Sequence, residues 1–286
     1  MKKLALSSLI AVFAVSGAHA ANVIDGNPLY MPKAGHFYSV TDLSSHTEND
    51  TPWGAAESFG YGILNNFAIN VDTSMTENKA FDEFAWDYLK FGATFRALDM
   101  GAWKVDALGA FNFGGGLYVH PDVPGEDSWF NHHWTNYTWT VGARGGYTTS
   151  RFTVAAKALF NYSNSEAFKW NADEGEQGIH TLVLGVDGQY VLCDKLNLVA
   201  GVEYTGILDK ELYGTPGAKI ENGGTWGGMF GVNYNIDATK YIGVYVNGTM
   251  DHWKGDRNGM GVAPGAEKGW GFQDGFGYGV KFGIDF

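Results

Sequence analysis

The adjacent residues His132 and His133 are the first candidates for metal chemistry in this chain. Adjacent residues of a strand point to opposite faces, so both could bind one ion only within an irregular loop. The chain has a single cysteine, Cys193, and no His-x-x-x-His pair. We therefore expect no metal, no cofactor and no intrachain disulfide, and we interpret the two histidines as a loop pair next to Trp134.

Hydrolysis would need a nucleophile beside a general base. The residues that could supply them near the ends of predicted strands are Asp127, Ser128, His132, His133, His180 and His252. The chain has no Gly-x-Ser-x-Gly motif and no histidine at a strand spacing from a serine. We therefore expect no enzyme, although distant residues can still meet in a fold.

Charged side chains that alternate with apolar ones form the third set of candidates. In the run 83–98, Leu89 and Phe91 share one face of a predicted strand, while Lys90 and Arg96 share the other. The same alternation places eleven charged residues on the polar faces: Lys90, Arg96, Lys104, Asp106, Arg144, Lys157, Asp187, Glu203, Asp251, Lys281 and Asp285.

About twelve such runs follow residue 34, joined alternately by long polar loops and tight turns. Their predicted bounds are 35–43, 54–63, 67–76, 83–98, 102–117, 134–147, 152–162, 178–191, 196–208, 223–235, 240–253 and 273–286. Alternation alone would also permit a soluble β-sandwich or a solenoid.

The N-terminus has the pattern of an export signal. Lys2 and Lys3 precede an apolar run over residues 4–15, and an Ala-x-Ala site ends at Ala20, after which we predict cleavage. The apolar run is shorter than the roughly 20 residues that span a bilayer as a helix. We expect residues 21–34 to be an irregular periplasmic segment, too short to act as a plug.

The last run, 277–286, ends on an aromatic residue. Apolar side chains occupy every second position: Tyr278, Val280, Phe282, Ile284 and Phe286. The stretch resembles the terminal strand of Gram-negative outer-membrane β-barrels. In that family the final aromatic residue and the alternating apolar positions are recognised by the barrel-insertion machinery, so the resemblance implies the same partner here.

The resemblance implies an all-β, transmembrane, antiparallel up-and-down barrel with short periplasmic turns and longer extracellular loops. The even number of runs fits single-chain bacterial barrels. The composition favours the barrel as well. Glycine accounts for 41 of 286 residues, about twice its usual share, and charged residues for only 17%. We expect a barrel over residues 35–286, in contact with outer-membrane lipid and lipopolysaccharide.

The net charge of −12 argues against nucleic acid as a partner. Six acidic residues are expected at the extracellular mouth: Asp122, Glu126, Asp127, Asp173, Glu174 and Glu176. Acids at a mouth raise the local concentration of cations, and they could equally form a soluble, repulsive surface.

Two functions remain open for the polar interior. The inward charges could set the selectivity of a water-filled pore, or they could form a core of ion pairs that blocks it. We expect a monomeric, porin-like channel for the passive passage of small hydrophilic solutes, with a preference for cations. The alternative is a closed barrel that modifies lipids or serves as a structural or adhesive surface protein.

Overall fold

The computed structural model describes residues 26–46, 53–78, 83–115, 135–165, 178–208, 222–254, 268–271 and 276–286. The strands are β1 (Phe37–His46), β2 (Trp53–Leu64), β3 (Phe67–Asn78), β4 (Glu83–Met100), β5 (Trp103–Gly115), β6 (Thr135–Thr148), β7 (Phe152–Ser165), β8 (Gly178–Cys193), β9 (Leu196–Ile207), β10 (Asn222–Asn235), β11 (Lys240–Lys254), β12 (Lys268–Gly271) and β13 (Phe276–Asp285). Each of the twelve predicted runs overlaps one long strand, and the bounds differ by a few residues. The short strand β12 lies in a stretch that we expected to be a loop.

The strands form a closed, antiparallel barrel. Each long strand pairs with its neighbour in sequence, β11 pairs with β13, and β13 pairs with β1. Strand β12 pairs only with β11 and is not part of the ring of twelve. Closure satisfies the backbone groups that an open sheet would leave unpaired in lipid. The predicted twelve-stranded, up-and-down barrel is therefore confirmed. Among the described residues, no helix is long and apolar enough to cross a membrane.

The wall alternates as the sequence predicts, with apolar side chains outward. Phe59, Phe91 and Val141 are each at least half exposed, which is expected where lipid replaces water as the neighbour. At the end of the barrel where the tight turns lie, here called the turn end, the rings of Phe37 and Phe286 stack with their centroids 4.6 Å apart. The opposite end, which carries the long connections, is called the loop end.

One part of the outward face is polar. The hydroxyls of Ser39 and Thr41 on β1 donate hydrogen bonds of 2.6 Å to the two carboxylate oxygens of Glu57 on β2. These three side chains lie on the same face as Phe59. The neighbouring strand thus satisfies both oxygens of an acid that would otherwise face lipid unpaired.

Large inward tyrosines lie against glycines of the neighbouring strand. The ring of Tyr241 on β11, which is only 1% exposed, covers Gly283 on β13, and the ring of Tyr38 on β1 covers Gly60 on β2. A Cβ atom on either glycine would overlap the ring beside it. Part of the high glycine content therefore comes from positions where a ring occupies the space of the missing side chain.

We predict that Gly283→Ala destabilises the barrel by about 1–3 kcal/mol, because the buried ring of Tyr241 must move away from the new methyl group. The matched control is Gly109→Ala on β5, where a Cβ meets no atom within 4 Å. Urea unfolding of both variants, refolded into lipid vesicles, measures the difference. Equal stability of the two variants would contradict this packing.

Candidate functional site in the barrel lumen

The N-terminal strap, defined as residues 26–36, lies inside the barrel. Gly26 packs against the side chains of Val199 on β9 and Asn233 on β10. The strap then reaches β2, where the backbone N–H of Gly35 donates to the carbonyl of Gly62 over 2.8 Å. Pro28 is fully buried and Leu29 is 2% exposed. We expected this segment to be too short to act as a plug, and in the structure it occupies part of the lumen.

Two arginines hold the strap by its backbone. Nη2 of Arg96 on β4 donates to the carbonyl of Leu29 over 2.6 Å, and Nη2 of Arg144 on β6 donates to the carbonyl of Tyr30 over 2.9 Å. The Tyr30 ring also contacts the Tyr38 ring edge-on, with centroids 6.0 Å apart. The strap therefore contacts β9 and β10, then β4 and β6, and finally β1 and β2.

Both arginines share one carboxylate. Asp106 on β5 lies opposite Arg96 on one side and Arg144 on the other in the strand register. Nε of Arg96 lies 2.8 Å from Oδ1 of Asp106, and Nε of Arg144 lies 2.8 Å from Oδ2. The Asp106 side chain has no exposed surface. It therefore fixes both guanidinium groups in the orientation that meets the strap.

A second cluster crosses β8. Nζ of Lys157 on β7 lies 2.9 Å from Oε2 of Glu203 on β9 and 3.3 Å from Oδ2 of Asp187 on β8. Gly185 on β8 lies between Lys157 and Glu203 in the register, and a Cβ there would meet Cε of Lys157 at 2.6 Å. The glycine leaves room for an ion pair between strands that are not adjacent.

Two further clusters contain acids that were absent from the predicted set. Asp72 on β3 lies 3.5 Å from Nζ of Lys90. Asp42 on β1 lies 3.6 Å from Nζ of Lys281 on β13 and accepts a 2.9 Å hydrogen bond from the Tyr245 hydroxyl on β11. Asp42 and Asp72 lie on the polar faces of their strands, so the alternation used for the other strands could have identified both.

The remaining predicted residues fall in three places. Lys104 lies at the turn end, where its Nζ is 2.8 Å from Asp99. Asp285 lies opposite Tyr38 at the same end. The structure does not describe the side chains of Asp251 and His252. The other predicted loop and rim residues lie wholly outside the described ranges: Asp122, Glu126, Asp127, Ser128, His132, His133, Asp173, Glu174 and Glu176.

Other candidates do not face the interior. His180 lies beside the outward rings of Phe160 and Tyr162, with centroid distances of 5.7 and 5.1 Å. Cys193 is an exposed free thiol at the end of β8. Within the described part of the chain, no group of three or more His, Cys, Asp or Glu residues is placed to hold a metal ion.

Hydroxyl and amide groups line the lumen towards the loop end. Thr138 on β6 lies 3.0 Å from Ser163 on β7, and the Thr140 hydroxyl donates to Asn161 over 2.7 Å. Nδ2 of Asn161 donates in turn to Thr181 on β8 over 3.2 Å. This half of β6–β8 therefore presents uncharged polar groups, whereas the charged clusters lie nearer the strap.

A cavity of about 110 Å³ lies between the strap and the barrel wall. Its charged lining residues are Lys90, Arg144, Lys157 and Asp187, and its aromatic lining residues are Tyr30 and Tyr38. The structure thus brings three of the predicted lumen bases to one partly open cavity.

Searches with protein-family models and among curated proteins find no match to this chain. Among solved structures, the translocator domain of the autotransporter NalP from Neisseria meningitidis aligns with a TM-score of 0.51 at 10% identity, over 100% of this chain and 97% of that one. OmpT, an outer-membrane protein of Vibrio cholerae, aligns at 0.44 and 12% identity over 88% and 96%. The NanC porin aligns at 0.49 and 10% identity over 87% and 98%.

The chain has the fold of an outer-membrane β-barrel. The alignment with the NalP translocator domain covers nearly the whole of both chains, in agreement with the resemblance of the terminal strand. At 9–12% identity the likeness to the barrels of this class is one of fold alone. What this barrel does must therefore be inferred from its own lumen.

We predict that Asp106→Asn destabilises the barrel by about 3 kcal/mol, because it leaves two buried guanidinium groups without their shared anion. The matched control is Asp237→Asn in the β10–β11 turn, where the carboxylate pairs with Lys240 at 3.4 Å in full contact with solvent. There, hydrogen bonds from the backbone N–H and the hydroxyl of Thr239 lower the pKa of Asp237. We expect little change in the control, since exposed pairs contribute little. Urea unfolding in lipid vesicles compares the two, and equal losses would contradict the role of Asp106.

Proposed function

We propose that this barrel is a channel for the passive passage of small hydrophilic solutes, and that the N-terminal strap closes its turn end. The observation that carries the proposal is the lumen itself. It is lined by hydroxyls, amides and ion pairs, it contains a partly open cavity, and its charged half is crossed by a segment that is not part of the wall.

The size of the barrel supports the proposal. Barrels of eight strands are just filled by their own side chains, and those of 16–18 strands leave an aqueous channel. A ring of twelve strands lies between these limits, so its own side chains do not fill the whole interior. In this chain the strap occupies part of that space, and displacement of the strap would leave a polar passage.

The charge of the described lumen supports no preference for one sign of ion. The four clusters contain five basic and five acidic residues: Lys90, Arg96, Arg144, Lys157, Lys281, Asp42, Asp72, Asp106, Asp187 and Glu203. A preference for cations therefore rests on the acidic residues of the long loops, and it stays a prediction.

A designed disulfide tests the strap as the closing element. A Cβ at Gly26 would lie 3.4 Å from Cβ of Val199, close to the 3.5–4.5 Å that disulfides require. In a Cys193→Ser background, we expect the double variant Gly26→Cys/Val199→Cys to show no conductance steps when oxidised. Reduction should restore them in planar-bilayer recordings, because the strap can then leave the lumen.

The matched control is the single variant Gly26→Cys in the same background. It carries the same unfavourable substitution at φ +67° but cannot form the disulfide. Conductance steps that persist in the oxidised double variant would show that the strap does not close the pore. A folded barrel that stays closed when reduced, and also after removal of residues 21–34, would contradict the channel and favour the closed surface protein.

A further inference from the structure

We propose that the cavity beside the strap binds a small dianionic solute, such as a compact dicarboxylate, between Lys90, Arg144 and Lys157. The biological role of this site rests on the proposed channel function, because the site names a class of solute that would bind during passage. The binding itself is argued from the residues of the cavity.

The first argument concerns the charge on the cavity surface. Three cationic side chains line the space, and Asp187 is the one carboxylate among the described lining residues. Most of the acids that pair with these cations are not part of the cavity lining. Asp106 is completely buried and Glu203 is 6% exposed, and neither is part of the lining. The described side chains that line the cavity therefore carry two more positive than negative charges, and the acids that balance them, Asp72, Asp106 and Glu203, lie behind this lining.

The second argument concerns the preorganisation of the cations. Asp106 fixes the Arg144 guanidinium through a 2.8 Å contact, and Glu203 holds the Lys157 ammonium at 2.9 Å. Groups that are already held in place lose little conformational entropy when a ligand binds. Guanidinium groups also match the geometry of carboxylates, which they can bind through two parallel hydrogen bonds.

The third argument concerns the uncharged polar groups of the lining. Asn70, Thr94 and Thr140 add polar side chains to the lining. These uncharged groups can hydrogen-bond the remaining oxygens of a carboxylate.

The volume limits the ligand to a small molecule. An engineered protein cavity of about 150 Å³ holds benzene, which has about six heavy atoms. A partly open space of about 110 Å³ therefore suits a solute of about this size. Malonate, a three-carbon dicarboxylate with about seven heavy atoms, is close to benzene in size.

The test measures binding and needs no conduction. The refolded, signal-free barrel in detergent is titrated calorimetrically with malonate and with malonamide, which has nearly the same shape but no charge. We expect malonate to bind and malonamide not to bind. The variant Lys90→Met/Asp72→Asn removes one cation together with its partner, and it should weaken malonate binding by about tenfold or more, as expected for a charged hydrogen-bond partner.

The matched control is Lys104→Met/Asp99→Asn, which removes an ion pair of the turn end that is not part of the cavity lining. We expect it to bind malonate like the parent protein. Equal weakening by both double variants, equal binding of malonamide, or absence of malonate binding would each overturn the anion site. Binding that follows the predicted pattern in a barrel without conductance would retain the site and reject the channel.

Discussion

The structure depends on the seam where β1 meets β13. A sheet in lipid has no water to satisfy its edge, so the first and last strands must pair along their length. They do so from Tyr38 opposite Asp285 to His46 opposite Gly277. Inside this seam, the contact between Asp42 and Lys281 and the hydrogen bond from Tyr245 join β1, β13 and β11. Backbone pairing and a polar cluster thus close the ring together.

Closure of the barrel leaves an interior space that must be filled. A ring of twelve strands encloses more space than short polar side chains can fill, and water or protein must occupy the remainder. Here tyrosines lie over glycines, ion pairs bridge neighbouring strands, and the strap enters from the turn end. Asp106 links the ion pairs to the strap. Its carboxylate joins β4, β5 and β6, and it orients two guanidinium groups towards the strap.

The alternation of the sequence predicted the wall well, because lipid on one side and polar groups on the other impose a strict period of two. It also placed Arg96, Asp106 and Arg144 inward, since no bulge interrupts the register between β5 and β6. It could not predict which residues pair, because cross-strand partners depend on the register. The position of the strap was equally out of reach, since Pro28 and Pro32 indicate irregular backbone without indicating where it lies.

The balance of charge in the lumen bears on how a closed barrel could conduct at all. A desolvated charge is costly, so the arginines and Lys157 are each held against acids whether or not the strap is present. Departure of the strap would break its hydrogen bonds to Arg96 and Arg144, and water or a solute could replace them at modest cost. The clusters of the wall would remain intact. An interior of paired charges is therefore compatible with a passage, because the ion pairs stabilise the wall and, among the described segments, it is the strap that crosses the lumen.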